Sequence, residues 1–448
     1  MKREYKDSGI PWVGDIPTDW DIKKIKHTTY VKGRIGWQGL KANEFIDEGP
    51  YLVTGTDFKN GKVQWENCYH ISEDRYNEAP EIQLKVNDLL ITKDGTIGKL
   101  AMVDTLPGKA SLNSHLLVLR PSSGEYIPRY LYWYLSSNVF IQYADLKKTG
   151  TTFYGLSQDS IERFVFAVPS IQEQKEISKL LDCKTLEIDN LIRRKEILIQ
   201  LLEKKRQSMI TEAVTKGLNS NVKMKDSGVE WIGEIPEHWT IKKIKHISNL
   251  VGSGKTPKGG SEIYPESGVL FLRSMNVHYD GIRLKDIVHI TPEIDEDMRS
   301  TRVKAKDVLL NITGASIGRS CIVPESLGKA NVNQHVCIIR SKTRVIVPEL
   351  LSKIMSSNFI MQQILMSQNG SSREGLNFSQ VKNLKFPLAR DLNEQIEIAN
   401  YISVETDKVN SLINMIKQQI HKLKDYRQSL IYEAVTGKID VRDFEVKA

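Results

Sequence analysis

The sequence predicts an α+β protein. Two mainly β globules alternate with two long helical segments, and the helices pack as an antiparallel coiled coil with an approximate two-fold within one chain. Three observations carry this expectation. An extended motif recurs about 220 residues along the chain. Short β-branched runs separated by turn residues fill the first part of each repeat. A 3.5-residue apolar period fills the last part. The boundaries read as 1–169 and 218–388 for the globules, and 170–217 and 389–448 for the helical regions.

The recurrence comes first because it sets the architecture. Lys6-Asp-Ser-Gly-Ile-Pro-Trp-Val-Gly-Asp-Ile-Pro-Thr-Asp-Trp20 returns as Lys225-Asp-Ser-Gly-Val-Glu-Trp-Ile-Gly-Glu-Ile-Pro-Glu-His-Trp239. Ile22-Lys-Lys-Ile-Lys-His27 returns unchanged as Ile241–His246. Further in, Asp88-Leu-Leu-Ile with Gly95-Thr-Ile-Gly98 matches Asp307-Val-Leu-Leu with Gly314-Ala-Ser-Ile-Gly318. Asn113-Ser-His115 and Arg120 match Asn333-Gln-His335 and Arg340. Ser136-Ser-Asn138 matches Ser356-Ser-Asn358, and Arg206–Thr215 matches Arg427–Thr436. Residues 31–85 and 250–304 share almost nothing: one has Lys32-Gly-Arg-Ile-Gly-Trp37, the other Val251-Gly-Ser-Gly-Lys-Thr-Pro257. Two explanations stand: drift in loops of unconstrained sequence, or related domains that bind different things.

Within the globules, Leu89–Thr92, Leu116–Leu119, Phe164–Val168 and Val336–Ile339 read as strands, with Asp94-Gly95 and Pro107-Gly108 as turns. One helix is expected from Pro128 to about Tyr143, because proline suits a first helical turn. Tyr130, Leu131, Tyr134 and Leu135 give that helix an apolar face, and its counterpart starts at Pro348. After Pro169 the period changes. Ile188, Ile192, Ile199, Leu202 and Met209 keep an alternating 4-3 spacing, with Lys195 and Arg206 completing it. Val409, Ile413, Ile416, Ile420, Leu423 and Leu430 do the same, with Arg427 in the place of Arg206. An isolated helix of this kind exposes its stripe and needs a partner. Roughly 30 residues of it span about 45 Å, a spacer with a globule at each end.

Composition bounds the chemistry. With 448 residues, 40% hydrophobic and 26% charged, the chain has the make-up of a multidomain globular protein. Sixty-three Lys+Arg against 55 Asp+Glu give a net charge of +8, which favours a polyanionic partner. The four cysteines form no Cys-x-x-Cys pair, so neither a zinc site nor a disulfide framework is expected. The Met1-Lys-Arg-Glu-Tyr-Lys start and the lack of a long apolar run point to a cytoplasmic protein with no membrane partner. Gly252-Ser-Gly-Lys-Thr256 imitates a phosphate-binding loop, but Asn249 stands where that motif needs glycine and Pro257 opposes a following helix. No His-Glu-x-x-His is present and the nine histidines are scattered, so no metal or catalytic residue is expected.

What remains is recognition chemistry. Lys93-Asp-Gly-Thr-Ile-Gly-Lys99 and Thr313-Gly-Ala-Ser-Ile-Gly-Arg319 combine small residues, hydroxyls and a cation, which lets backbone N–H groups approach phosphates. Lys93, Thr96, Lys99, Thr313, Ser316 and Arg319 are the candidates there, with Arg273 from the divergent segment. Asn113, His115, Asn333, Gln334 and His335 carry groups that can read base edges. Thr151 and Thr152, and Ser372 and Arg373, offer the same chemistry near the end of each globule. For each of these residues plain turn formation is the alternative. Arg206, Gln207, Arg427 and Gln428 are candidates for a protein partner or, equally, for packing inside the helical bundle.

With these residues in hand, the chain resembles the specificity subunit of type I restriction-modification systems along nearly its whole length. The domain starts Ser8–Pro17 with Trp20, and Ser227–Pro236 with Trp239, carry the likeness. So do Ile171-Gln-Glu-Gln174 leading to Glu212–Thr215, and Leu392-Asn-Glu-Gln395 leading to Glu433–Gly437. The resemblance implies two target-recognition domains, each reading one half of a split site on double-stranded DNA, and a chain that is not itself an enzyme and holds no cofactor. It implies two modification subunits carrying S-adenosylmethionine that methylate adenine, and restriction subunits, where present, that use ATP and Mg2+. The chain departs from the pattern at one helix end: Lys216-Gly217 follows the first threonine, Gly437-Lys438 the second.

Overall fold

The computed structural model describes residues 3–34, 40, 42–147, 155–257, 264–368 and 375–442. The chain falls into two units, Met1–Lys195 with Gln418–Ala448, and Glu196–Lys417. Each unit combines a globule with parts of both long helices. Among the described residues no helix is long and apolar enough to cross a membrane.

In the first unit the strand Leu89–Thr92 lies between Leu116–Pro121 and Leu100–Met102. Thr29–Lys32 and the Phe58–Lys59/Lys62–Val63 hairpin extend this to six strands. A second sheet places Ile46–Val53 between Ala110–Leu112 and Tyr69–His70. Val53, Leu112, Leu90 and Val118 join one core drawn from both sheets. All four residues of Leu89–Thr92 are buried, as expected for a strand covered on both faces.

The second unit repeats the plan. Val308–Asn311 lies between Val336–Ser341 and Ser320–Ile322, with Ser248–Ser253 at the edge. Val269–Leu272 lies between Ala330–Val332 and Val288–Ile290. Strand alternation divides the core: Val308 and Leu310 pack in one cluster, Leu309 in another. The first of these clusters includes Ile210 and Val214 from one long helix and Ile398 and Ile402 from the other. The segments without sequence likeness thus supply two strands of the same three-stranded sheet in both units.

The single helix expected from Pro128 is two, Pro128–Leu135 and Asn138–Lys147. Its counterpart also divides, into Pro348–Met355 and Asn358–Met366. The repeated serine pair is the breaker. The Ser136 and Ser137 hydroxyls donate to the carbonyls of Tyr132 (2.7 Å) and Tyr134 (2.6 Å), a local bonding pattern that competes with helix continuation. Tyr130–Leu135 is buried all round rather than on one face.

The long helices run Ile171–Lys216 and Leu392–Val435, 46 and 44 residues, longer than the apolar seam alone. At 1.5 Å per residue they are about 69 and 66 Å long. The seam is present. Ile188, Ile192, Val409, Ile413, Ile416 and Ile420 are buried, while Arg193, Arg194, Glu203 and Lys204 between seam positions are exposed. In the first unit Asp189 accepts from Arg427 (3.0 Å) and Lys195 donates to Gln419 (2.7 Å). One residue number rises as its partner's falls, so the helices are antiparallel there.

The added N-terminal turns pack on the globules through buried polar groups. Gln174 accepts from the Ile127 N–H (2.8 Å) and donates to the carbonyls of Glu125 and Pro169 (2.9 Å each). Gln395 does the same with Val347, Val345 and Ala389. Trp20 donates its indole N–H to Glu173 (3.0 Å), and Trp239 donates to Glu394 (2.9 Å). The far helix ends meet the same tryptophans. Gly217 and Gly437 both adopt positive φ (74° and 73°), closing the helices as αL caps. A Cβ on Gly437 would sit 3.2 Å from Trp20 and one on Gly217 3.2 Å from Trp239. The Lys216-Gly217 departure therefore lets the first helix run one residue further past its threonine. The Tyr5 hydroxyl donates to the Gly437 carbonyl (3.2 Å), so the Lys6–Gly9 motif lies beside the end of the second helix.

The repeated Asp–Arg pairs are also structural. Arg120 donates to both oxygens of buried Asp88 (2.6 Å each), and Arg340 to both oxygens of buried Asp307 (2.8 and 2.7 Å). Each carboxylate also accepts a backbone N–H, from Lys85 or Lys304 (2.7 Å each). Removing one partner of a buried pair strands a charge, at a cost of about 3–5 kcal/mol. Arg120→Ala and Arg340→Ala are each expected to destabilise their own unit by that amount, read as one shifted transition in urea unfolding.

Candidate nucleic-acid interface

In the first globule the candidate loop Lys93–Lys99 follows directly from Leu89–Thr92. The Thr92 hydroxyl donates to the Thr96 carbonyl and accepts from the Lys99 N–H (2.9 Å). Gly95 and Gly98 supply the positive φ (66° and 79°) that the turn requires. The Lys93 main chain ties the loop to its neighbours: its N–H donates to the His115 carbonyl (3.0 Å) and its carbonyl accepts from Leu156 (2.6 Å). Asn113 accepts from the His115 N–H (2.9 Å), and the His115 ring lies 2.6 Å from Asp94 through Nδ1. Asn113, His115 and Asp94 thus form one surface cluster, with Thr96 exposed nearby on the same loop. Lys99 is turned inward: its ammonium donates to the Gly55 carbonyl (3.0 Å) and sits 5.9 Å over the Phe58 ring.

The second globule builds the same turn with different groups. Asn311 replaces Thr92, and its amide donates to the Ser274 carbonyl (2.8 Å) and the Ser316 hydroxyl (3.1 Å). The Ile312 N–H donates to the His335 carbonyl (3.0 Å). Asn333 accepts from the His335 N–H (3.1 Å), and His335 Nδ1 lies 2.6 Å from the Thr313 hydroxyl. Gln334 bonds Thr256 and approaches the His335 ring at 3.1 Å. Thr313, Ser316, Arg319 and His335 line one open groove with Met275. Arg273 points elsewhere, donating to the Asp286 carbonyl (2.7 Å). The Arg319 guanidinium has no hydrogen-bond or ion-pair partner among the described residues, in contrast to Lys99 at the matched position.

Thr151, Thr152, Ser372, Arg373 and residues 35–39 lie outside the described residues. All four candidates for a protein partner make contacts inside their own unit. Arg206 donates to Asn410 (2.6 Å) and Arg427 to Asp189 (3.0 Å). Gln207 donates to the Ser356 carbonyl (2.6 Å) and Gln428 to the Ser136 carbonyl (3.0 Å), which caps the helix before each serine pair.

Asp94 was read only as a turn residue, and its place beside His115 needs the fold to bring the 94 and 115 segments together. Met275 and Thr256 lie in divergent segments with no motif to mark them. A Gly-x-Ser-x-Gly nucleophile elbow is not expected from the sequence, yet Gly314-Ala-Ser-Ile-Gly318 has that spacing. Ser316 lacks the required partners: its hydroxyl accepts from Asn311, while His335 is bonded to Thr313. Among the described residues no group of three or more His, Cys, Asp or Glu is placed to hold a metal. Burial pushes the Cys321 and Cys337 thiols up to about 12, so neither supplies a thiolate at neutral pH.

A two-sheet globule with a long helix after it, present twice and each time carrying one of these matched loops, defines a protein built from two equivalent domains. The chain belongs to the type I restriction modification DNA specificity domain family, whose profile matches residues 17–201 and again 236–422. It is 24% identical over 441 residues to the putative type I restriction enzyme MjaX specificity subunit of Methanocaldococcus jannaschii, covering 96% of each chain. It is 24% identical to the EcoBI specificity subunit of Escherichia coli, covering 89% of this chain and 82% of the relative. In fold it is similar to a chain from a structure describing complex assembly and conformational transition of the type I R-M system (TM-score 0.72, 14% identity, 95% and 99% covered). It is also similar to the HsdS subunit from Thermoanaerobacter tengcongensis (TM-score 0.50, 14% identity, 95% and 98% covered).

The unequal use of the matched cations has a direct consequence for stability. Lys99→Ala removes a charged hydrogen bond from a carbonyl, worth about 1.5–3 kcal/mol. Arg319→Ala removes no internal bond and should stay within about 0.5 kcal/mol of the parent. Chemical denaturation of the two variants is expected to show a shifted midpoint for the first only.

Proposed function

We propose that this chain is the DNA-specificity subunit of a type I restriction-modification complex. It reads a bipartite, asymmetric target on double-stranded DNA and directs adenine-methylating modification subunits to it. The observation that carries the reading is the duplication itself: equivalent loops around His115 and His335, with different side chains, in a chain of the DNA specificity domain family. The functional division follows the chain order: recognition by residues 1–169 and 218–388, assembly by 170–217 and 389–448. The chain acts without chemistry of its own, in the cytoplasm. S-adenosylmethionine belongs to two modification subunits, and ATP and Mg2+ to restriction subunits where they are present.

Exchanging residues 1–169 for the corresponding domain of another family member is expected to change one half of the methylated motif and leave the other intact. Methylome sequencing reads the outcome, and simultaneous change of both halves would contradict separate readers. Co-purification with the modification subunit is expected to give two copies of it per chain by native mass spectrometry. A saturated one-to-one assembly would overturn that stoichiometry. The rival reading, a self-contained methyltransferase, predicts that the purified chain alone methylates DNA.

A further inference from the structure

The two recognition loops occupy equivalent places in their globules, yet they present opposite hydrogen-bonding chemistry. At the first matched position the first globule has Asp94 and the second Thr313. At the second matched position Lys99 is held by the Gly55 carbonyl, whereas Arg319 lines the open groove without a partner among the described residues. The first loop therefore offers an acceptor and no available cation at this position. The second offers a five-donor guanidinium flanked by hydroxyls.

From this difference we infer that Arg319 reads a guanine in the half-site bound by the second globule, and that Asp94 reads a cytosine amino group in the half-site bound by the first. The inference rests on the DNA-specificity reading above and adds the base chemistry of each half. A guanidinium pairs bidentately with guanine O6 and N7, and an ionised carboxylate accepts from cytosine N4. The carboxylate argues for a base edge over the backbone, because a phosphate would repel it. His115 holds Asp94 Oδ1 at 2.6 Å, which fixes the carboxylate and leaves Oδ2 for the base. The His335–Thr313 bond steadies one wall of the groove that holds Arg319.

The test uses the full chain assembled with its modification partner, and compares duplexes carrying single-base changes in each half-site. The variants are Arg319→Ala, Arg319→Lys and Asp94→Asn. The first two lose no internal bond of the arginine, and the third preserves side-chain shape. Under the proposal both Arg319 variants lose discrimination at one guanine by about tenfold to a hundredfold, because lysine keeps the charge but not the fork. Asp94→Asn loses discrimination at one cytosine of the other half-site. If Arg319 instead contacts a phosphate, Arg319→Ala weakens every duplex alike and makes the salt dependence shallower by about one ion, and Arg319→Lys restores both. That result, or unchanged discrimination in Arg319→Ala or Asp94→Asn, overturns the proposal. A parent complex that prefers no duplex over random sequence would overturn the specificity reading itself, a result visible before any variant is made.

Discussion

An indole-to-carboxylate bond at the start of each long helix organises everything around it. Trp20 and Trp239 are fully buried, and each gives its one N–H to a glutamate on the first helical turn. A buried indole without that acceptor, or a buried carboxylate without that donor, would carry an uncompensated desolvation cost. The bond therefore fixes where each long helix leaves its globule. In the first unit Arg3 adds an ion pair to Glu173 (2.6 Å), and in the second His238 lies 3.1 Å from Glu394. The glutamine one residue later pins the helix to three backbone groups. The αL glycine closing the other long helix settles against the same tryptophan. One side chain thus reports on the beginning of one helix and the end of the other.

Much of this was legible in the sequence, because repetition and period are local properties. The strands Leu89–Thr92 and Val336–Ile339, the 3.5-residue seam and the kinship of the two domain starts all came from residue order alone. The helical regions read from the sequence include the first turns of the long helices, but the packing of those turns was not legible, since Glu173, Gln174, Glu394 and Gln395 look like solvent-facing positions. Glu173, Gln174 and Gln395 are buried and Glu394 is half-buried, because distant segments supply carbonyls and N–H groups, and hydrophobic pattern does not record hydrogen-bond partners. The serine pairs within Pro128–Lys147 and Pro348–Met366 are visible as matches, but a hydroxyl bonding back to its own helix leaves no mark in the apolar pattern, and neither does the long-helix glutamine that then caps the freed carbonyl. The divergent segments concealed two strands of a shared sheet for a different reason. Consecutive buried residues such as Leu52 and Val53, or Phe271 and Leu272, need only be apolar and of fitting size, so different side chains build the same sheet.

The candidate interface was legible as a place more than as a set of residues. Both loops, and the histidines that join them, were visible as repeated motifs. The direction of each cation was not, because Lys99 and Arg319 occupy identical motif positions and differ only in what surrounds them. Gly55 and Phe58 capture the lysine. In the second globule Ser274 and Val277 stand at the matched places, and the arginine faces the groove.

The Asp–Arg clamps, at the strand ends away from these loops, have a further bearing on how much the loops can vary. Each clamp fixes the register of the strands that carry a candidate loop without using any atom of the loop itself. Loop side chains that bond nothing in the scaffold, such as Arg319 among the described residues, can then vary while the strands keep their register.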